Sequence, residues 1–418
     1  MGSALDGIRI IDLSRVLGGP YCTQLLGDHG ADVIKIEPPM GDETRGWGPP
    51  FINGTASYFQ GVNRNKRGLA LDLAREEGRE ILLQLLEDAD VLVENFKTGT
   101  LEKWGIGYDR LHQLFPRLIH CRISGFGADG PLGGLPGYDA IAQAMGGLMS
   151  VNGEESGDPL RVGLPLVDMV TGLNAVAGIT LALHERTRSG EGQFVEAALF
   201  DSALALMHPH FPNVFGGGSE PRRTGNAHPN ISPYEAYATG TQKIFLAVGN
   251  NTQFAKMCAV LECPQILEDA RFQDNSQRVI NRAELRGELE TVLSRYNGSE
   301  IAERLIRAGV PCGPVLNASE VLSHPHTAHR GMLVEIGSYK GTGTPVKLNR
   351  TPASYRNAPP AFAQDSNEIL AGLGFDESRI RELRESGVAP PAFDSGYHQD
   401  DCADCKETIK PGPLGVSQ

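Results

Sequence analysis

The sequence predicts an α/β fold in which a large domain on a mostly parallel sheet is joined to a smaller α+β domain. Three observations lead there. Short apolar runs alternate with helical patterns through the first half of the chain. From about residue 232 the pattern changes to a hairpin followed by clustered helices. Strand and helix signals then return near residues 332–336 and 369–386. Parallel strands need long crossovers, and repeated strand–helix–strand units supply them.

The elements follow in order. Residues 8–13 (IRIIDL) read as a first strand, because β-branched residues suit a pleated, buried surface. Residues 20–27 read as a helix and 31–37 (ADVIKIE) as the next strand. Residues 69–73 form a third apolar run. Residues 75–88 place Ile81, Leu82, Leu85 and Leu86 at helical spacing. Residues 91–96 and 118–124 read as strands, 167–188 as a long helix, 194–198 as a strand and 200–207 as the start of a helix. Two strands at 234–238 and 243–248 flank the Gly-containing turn TGTQ, and helices are expected at 253–261, 282–294 and 299–308. The expected organisation is a large domain over 1–213, a linker over 214–231, a small α+β domain over 232–318, a return segment over 319–388 that completes the large domain, and a flexible tail over 389–418.

The chain has 418 residues, 40% of them hydrophobic, which is enough for a substantial core. A net charge of −13 argues against nucleic-acid and membrane-surface partners. It leaves room for a phosphate-bearing ligand held by local cations, such as the basic run NRNKR at 63–67. Seven scattered cysteines, an odd number, suit a reducing compartment rather than a disulfide framework. The start MGSALDGIRIIDL shows neither a signal peptide nor an Arg-rich presequence. The expectation is a cytoplasmic protein, or a mitochondrial one if a presequence has been removed. No apolar run is long enough to span a membrane without charges or glycines.

Several motifs point to chemistry and then fail on context. Gly125, Gly127 and Gly130 in SGFGADG match the dinucleotide fingerprint, but another loop follows instead of a helix. His324, His326 and His329 crowd together, with Pro325 breaking the helix that would align them as metal ligands. Cys402 and Cys405 form a lone CxxC without strand or helix context. There is no GxSxG elbow and no phosphate-loop lysine motif. No metal site and no permanently bound cofactor are expected.

Asp168 stands out. It sits in LPLVDMVTGLNAVAGITLAL, an almost wholly apolar stretch, and a buried carboxylate is costly unless paired or hydrogen-bonded. One reading makes it the N-cap of the helix, although Thr171 gives no capping box. The other makes it a nucleophile, held in one rotamer, partly stripped of water and kept ionised by the helix dipole.

The ordered motifs resemble the class III CoA-transferase family. The likeness runs through residues 5–37 (LDGIRIIDLSRVLGGPYCTQLLGDHGADVIKIE), GDETRGWGPPF, NRNKRGLALDL, DADVLVENFKTGTLEKWGIGYDRL, SGFGADGPLGGLPGYDAIAQAMGGLMS, GDPLRVGLPLVDMVTG and GVPCGPV, and covers the chain to about residue 388. It implies a Rossmann-like, CoA-binding large domain, an interlocked homodimer, and acyl-CoA plus a small carboxylic acid as substrates. It assigns the nucleophile to Asp168, which would form a mixed anhydride and then an enzyme–CoA thioester. CoA contacts carry over to Val16, Gly18, Leu71, Asp72, Asn95, Phe96, Lys97, Lys103, Tyr138 and Asp139. Leu17 and Pro38 depart from formyl-CoA transferases, which carry Gln and a basic residue there. WGPPF, GDPLR and TGNAHPNISPY are similar instead to succinyl-CoA:glutarate CoA-transferases. A dicarboxylate acceptor needs a cation for its far carboxylate, and Arg45, Arg222, Arg223 and His228 are the candidates. Three rivals are an α-methylacyl-CoA racemase, disfavoured because Tyr138 stands where its acid/base His would, a catalytically silent CoA-binding protein, and a Rossmann oxidoreductase.

Overall fold

The computed structural model describes residues 2–392; Cys402, Cys405 and the expected tail beyond residue 392 lie outside the described residues. The chain forms two compact units. The first runs to Asp139, takes in Leu166–Ser202 and resumes at Met332, and the second comprises Ala140–Pro165 and Ala203–Gly331.

A six-stranded parallel sheet organises the first unit. Its strands are β1 (Arg9–Asp12), β2 (Asp32–Glu37), β3 (Lys66–Ala70), β4 (Val91–Glu94), β5 (Ile119–Ser124) and β6 (Phe194–Ala198), in the order β3-β2-β1-β4-β5-β6. Every pairing is parallel, with Ile10 opposite both Val33 and Val91. The strands at the centre are buried along most of their length, which is why they read as unbroken apolar runs rather than alternating ones. The third strand starts three residues before the run that predicts it. Lys66 and Arg67 carry the ladder there, their charges answered by Asp12 and Asp32.

Helices cover the sheet. The helix α1 (Gly18–Asp28) follows β1, and α2 (Glu76–Glu87) buries Ile81, Leu82, Leu85 and Leu86. These join Ile11, Ile34 and Leu92 in one core with Ile369, Leu370, Ile380 and Leu383 from two later helices, Ser366–Gly372 and Glu377–Glu385. The return is also tied by backbone: Asp365 N–H donates to Gly68 O (2.9 Å) and Asp72 N–H to Val388 O (2.8 Å). A short helix α3 (Asp139–Met145) precedes the long α4 (Leu166–Ser189), which packs on α1, β5 and β6.

By length and composition α4 could cross a membrane. Its packing gives another reason for that composition. Val167, Thr171, Ala175, Ile179, Ala182 and Arg186 form a buried stripe at helical spacing. Arg186 ends the stripe with bonds to Asp90 Oδ1 (2.7 Å) and Arg117 O (2.9 Å).

The second unit holds an antiparallel sheet of β7 (Tyr234–Tyr237), β8 (Ile244–Ala247) and β9 (Cys312–Pro314), with β8 in the middle. TGTQ makes the expected hairpin turn between β7 and β8. Phe254, Met257, Leu289, Leu293, Ile301 and Leu305 pack its core.

Candidate active site

In a doubly wound sheet the crevice for a ligand opens where strand order reverses, here between β1 and β4. The β1–α1 loop lies at that point and is held rigidly from below. Asp12 accepts from Ser14 N–H (3.0 Å), Ser14 Oγ (2.5 Å), Thr23 Oγ1 (2.6 Å) and Lys66 Nζ (3.0 Å). Lys35 Nζ donates to Ser14 O (2.9 Å) and Asp42 Oδ2 (3.1 Å). Burial opposes the Asp12 charge, but Lys66, Lys35 and the two hydroxyls prevail and hold its pKa at about 2. The loop then passes through Val16 at φ 70°, a left-handed conformation that β-branched residues rarely adopt.

The basic run at 63–67 is thereby spent inside the protein. Arg64 pairs with Asp28 (2.6 Å) and Lys66 with Asp12, both side chains buried, and Arg67 pairs with Asp32 (2.8 Å). It does not form the phosphate-binding patch that its composition suggests.

Asp168 is the third residue of α4, so it is not the N-cap. That role belongs to Asp139, whose Oδ1 accepts from the N–H groups of Val167 (2.8 Å) and Asp168 (3.3 Å). These are orphan donors of the first helical turn, satisfied from another segment. The Asp168 carboxyl is left to face the crevice. Its pKa is raised from 3.8 to about 7, first by burial and then by the Asp139 charge. The dipole of α4 favours the anion but is worth only about 0.3–1 kcal/mol at most helix ends, against roughly 4 kcal/mol for such a rise. At Asp168 the dipole therefore counts for less than burial and the Asp139 charge.

Close backbone approach sets Asp168 against the β1–α1 loop. A Cβ at Gly18 would lie 3.3 Å from Asp168 O, and one at Gly172 only 2.6 Å from Gly18 O. Helix α4 can reach α1 this closely because both positions lack side chains.

Two adjoining spaces open along the crevice. A cleft of about 240 Å³ is lined by Asp168, Val16, Gly18, Asn95, Phe96, Lys97 and Tyr138. A mainly apolar cavity of about 350 Å³ is lined by Leu71 and Asp72 together with Ile36, Pro38, Phe96 and Trp104. Phe96 and Arg15 belong to both linings. Lys103 lines neither; it is exposed at the end of the short helix Thr100–Lys103.

The acceptor candidates divide between the two units. Arg45 is engaged by Glu37 through two 2.7 Å bonds, donates to Pro360 O (3.1 Å) and lies 3.8 Å over the Phe59 ring. Its charge is answered within the fold. Arg222, Arg223 and His228 belong to the second unit. Arg222 is exposed and lines a cavity of about 690 Å³, and Arg223 Nη2 donates to Gly157 O (2.7 Å). His228 Nδ1 accepts from Asn230 N–H (3.1 Å), and its pKa is lowered by burial, then by Arg282 and His210.

Tyr58 is a neighbour that sequence reasoning missed. Its phenol is pushed up to about 12 by burial and then by the charges of Asp168, Asp139 and Asp42. Nothing in the local pattern of 55–60 marks it, since it reads as an ordinary aromatic. Among the described residues no group of three or more His, Cys, Asp or Glu could hold a metal ion.

Comparison with known proteins matches residues 5–366 to the model of CoA-transferase family III. The chain belongs to that family. As a family III member it is 40% identical over 381 residues to the succinate–glutarate CoA-transferase of Agrobacterium fabrum, covering 88% of this chain and 95% of that one. It is 37% identical over 395 residues to human succinyl-CoA:glutarate CoA-transferase, covering 92% of this chain and 89% of the relative. A CAIB/BAIF family protein from Brucella suis, known from its crystal structure, superposes with a TM-score of 0.81 at 39% identity, over 89% of this chain and all (100%) of that one.

Proposed function

We propose that this protein moves CoA from succinyl-CoA to a dicarboxylate such as glutarate, with Asp168 as nucleophile. One observation carries the reading: a carboxylate on the first turn of α4, poised to ionise near neutral pH, lines a cleft that adjoins an apolar cavity. The cavity suits the adenine end of CoA, and the cleft suits its thioester.

The steps balance without a metal or redox group. The ionised Asp168 carboxylate attacks the succinyl thioester carbonyl, the C–S bond breaks, and a mixed anhydride and CoA thiolate form. The thiolate attacks the aspartyl carbonyl, freeing succinate and leaving an Asp168–CoA thioester. The acceptor carboxylate attacks that thioester, giving a second anhydride and thiolate. The thiolate attacks the acyl carbonyl, releasing the new acyl-CoA and restoring Asp168. Each tetrahedral intermediate needs oxyanion donors, commonly worth a few kcal/mol apiece.

Burial serves this cycle. A carboxylate stripped of water is the better nucleophile, and a raised pKa keeps it basic at neutral pH. Arg45 is engaged by Glu37, so its charge is not free for the far carboxylate of the acceptor. A homodimer is supported by the face of α4 opposite its buried stripe, where Leu173, Ala177 and Leu181 are exposed.

The test is exchange from succinyl-CoA into a panel of glutarate, oxalate, formate, acetate, malate and carnitine, read by mass spectrometry. Glutaryl-CoA formed by the wild type and absent with Asp168→Ala is the expected result. Exchange that survives Asp168→Ala would overturn the nucleophile, and oxalate as the preferred acceptor would overturn the substrate.

A further inference from the structure

We infer that Arg15 is the cation that receives a phosphate of the CoA nucleotide. The inference rests on the CoA-transferase reading and adds a binding residue to it.

Three observations converge on this side chain. First, its backbone is fixed at the reversal of strand order. Arg15 N–H donates to Asn95 Oδ1 (2.9 Å), and Asn95 Nδ2 donates to Arg15 O (2.7 Å). One asparagine thus clamps both main-chain groups of the residue and locks the β1–α1 loop to the end of β4. Second, Arg15 lines both the apolar cavity and the Asp168 cleft. A nucleotide in the cavity and a thioester at Asp168 must be joined by a chain that passes it. Third, among the described residues no acid answers its guanidinium. The Nε is buried without a hydrogen-bond partner, and among the described residues Arg15 forms no ion pair.

The surroundings make that third point unusual. The neighbouring arginines of this sheet are each paired: Arg45 with Glu37, Arg64 with Asp28, Arg67 with Asp32 and Arg122 with Glu94. The two acids of the apolar cavity are also committed. Glu37 accepts from Arg45 and from Asp42 N–H, and Asp72 accepts from Ala74 N–H (3.0 Å). A buried donor left unsatisfied is costly, and a guanidinium fork matches phosphate oxygens in geometry and charge. Pro38 in the same cavity wall offers no charge of its own. In a chain of net charge −13, a nucleotide polyanion needs such a local cation.

Two phosphate groups of CoA could meet this fork, the 3′-phosphate or the diphosphate bridge, and the ligand series separates them. Calorimetric titration of the full chain with CoA and with 3′-dephospho-CoA would be run for the wild type, Arg15→Gln and Arg15→Lys. Thermal unfolding of each variant would be followed alongside. Arg15→Gln is expected to weaken CoA binding by about tenfold to a hundredfold, the usual worth of a charge-assisted phosphate contact. Arg15→Lys should recover part of the loss, because it keeps the charge without the fork. If dephospho-CoA binds both proteins alike, the 3′-phosphate is the contact; if the variant still loses, the diphosphate is. Turnover of succinyl-pantetheine, which carries no nucleotide, should move far less than turnover of succinyl-CoA. Unchanged CoA affinity in Arg15→Gln, or equal loss with the pantetheine thioester, would overturn the assignment. A wild type that binds no CoA would instead overturn the transferase reading, and the assignment with it.

Discussion

Replacing Asp139 by Asn should lower the pH at which the reaction at Asp168 switches on. The amide keeps an oxygen to accept from the Val167 and Asp168 N–H groups, so the start of α4 survives while the neighbouring negative charge is lost. In the wild type Asp168 titrates at about 7 rather than 3.8, with burial the larger cause and Asp139 the second. Removing the second cause alone therefore recovers less than half of that interval, and the variant's midpoint should fall yet stay above about 5. With a midpoint near 6, roughly half of Asp168 is ionised at about pH 6, against about a tenth in the wild type. The acid limb of kcat/KM reports the free enzyme. Near pH 6 the variant should therefore gain roughly fivefold relative to its own plateau. At about pH 8 the profiles should run parallel, and the variant plateau should be no higher, because a less basic carboxylate is a weaker nucleophile. The assay is succinyl-CoA:glutarate exchange at low substrate over roughly pH 5 to 9, each profile being normalised to its plateau. An unmoved acid limb, or one displaced upward, would refute the electrostatic argument.

Other perturbations test the scaffold. Asp168→Asn should stabilise the protein where the wild-type carboxylate is forced to ionise. Its folded pKa of about 7 lies above the unfolded 3.8, so the native state holds the extra proton, and wild-type stability falls as pH rises through that window. The variant's advantage in urea unfolding should be absent below about pH 4 and reach up to about 4 kcal/mol above pH 7. Gly172→Ala places a Cβ 2.6 Å from Gly18 O, so it should push α4 from α1, cost roughly 1–3 kcal/mol in unfolding and reduce turnover through displacement of Asp168. Lys35→Met removes the ion-pair partner of Asp42 and the donor to Ser14 O, stranding one buried carboxylate. A loss of about 3–5 kcal/mol is expected by chemical denaturation.

Much of the fold was legible because period and length report it locally. IRIIDL and ADVIKIE read as strands since both are buried, and residues 75–88 read as a helix from the spacing of its four apolar residues. The third strand was misplaced because Lys66 and Arg67 look like solvent-facing residues. Their partners lie far away in sequence, Asp12 being 54 residues from Lys66. The same blindness made 63–67 look like a phosphate patch. At the site, Asp168 stood out as a lone acid in an apolar run. The N-cap reading failed because the competing carboxylate, Asp139, comes from 28 residues upstream of Val167. Tyr58 and Arg15 were missed for a similar reason, since neither burial nor a lost partner shows in residue type.

By itself, then, the sequence determined the alternation of strands and helices, the order of the family motifs and the presence of a carboxylate at the start of α4. These depend on neighbours a few positions apart, where spacing and hydrophobicity act directly. Only the tertiary structure decided which charges are consumed in pairs, which carboxylate caps the helix and which is left to react. Those outcomes depend on water being excluded between distant segments, and desolvation is a property of the packed fold rather than of any stretch of chain.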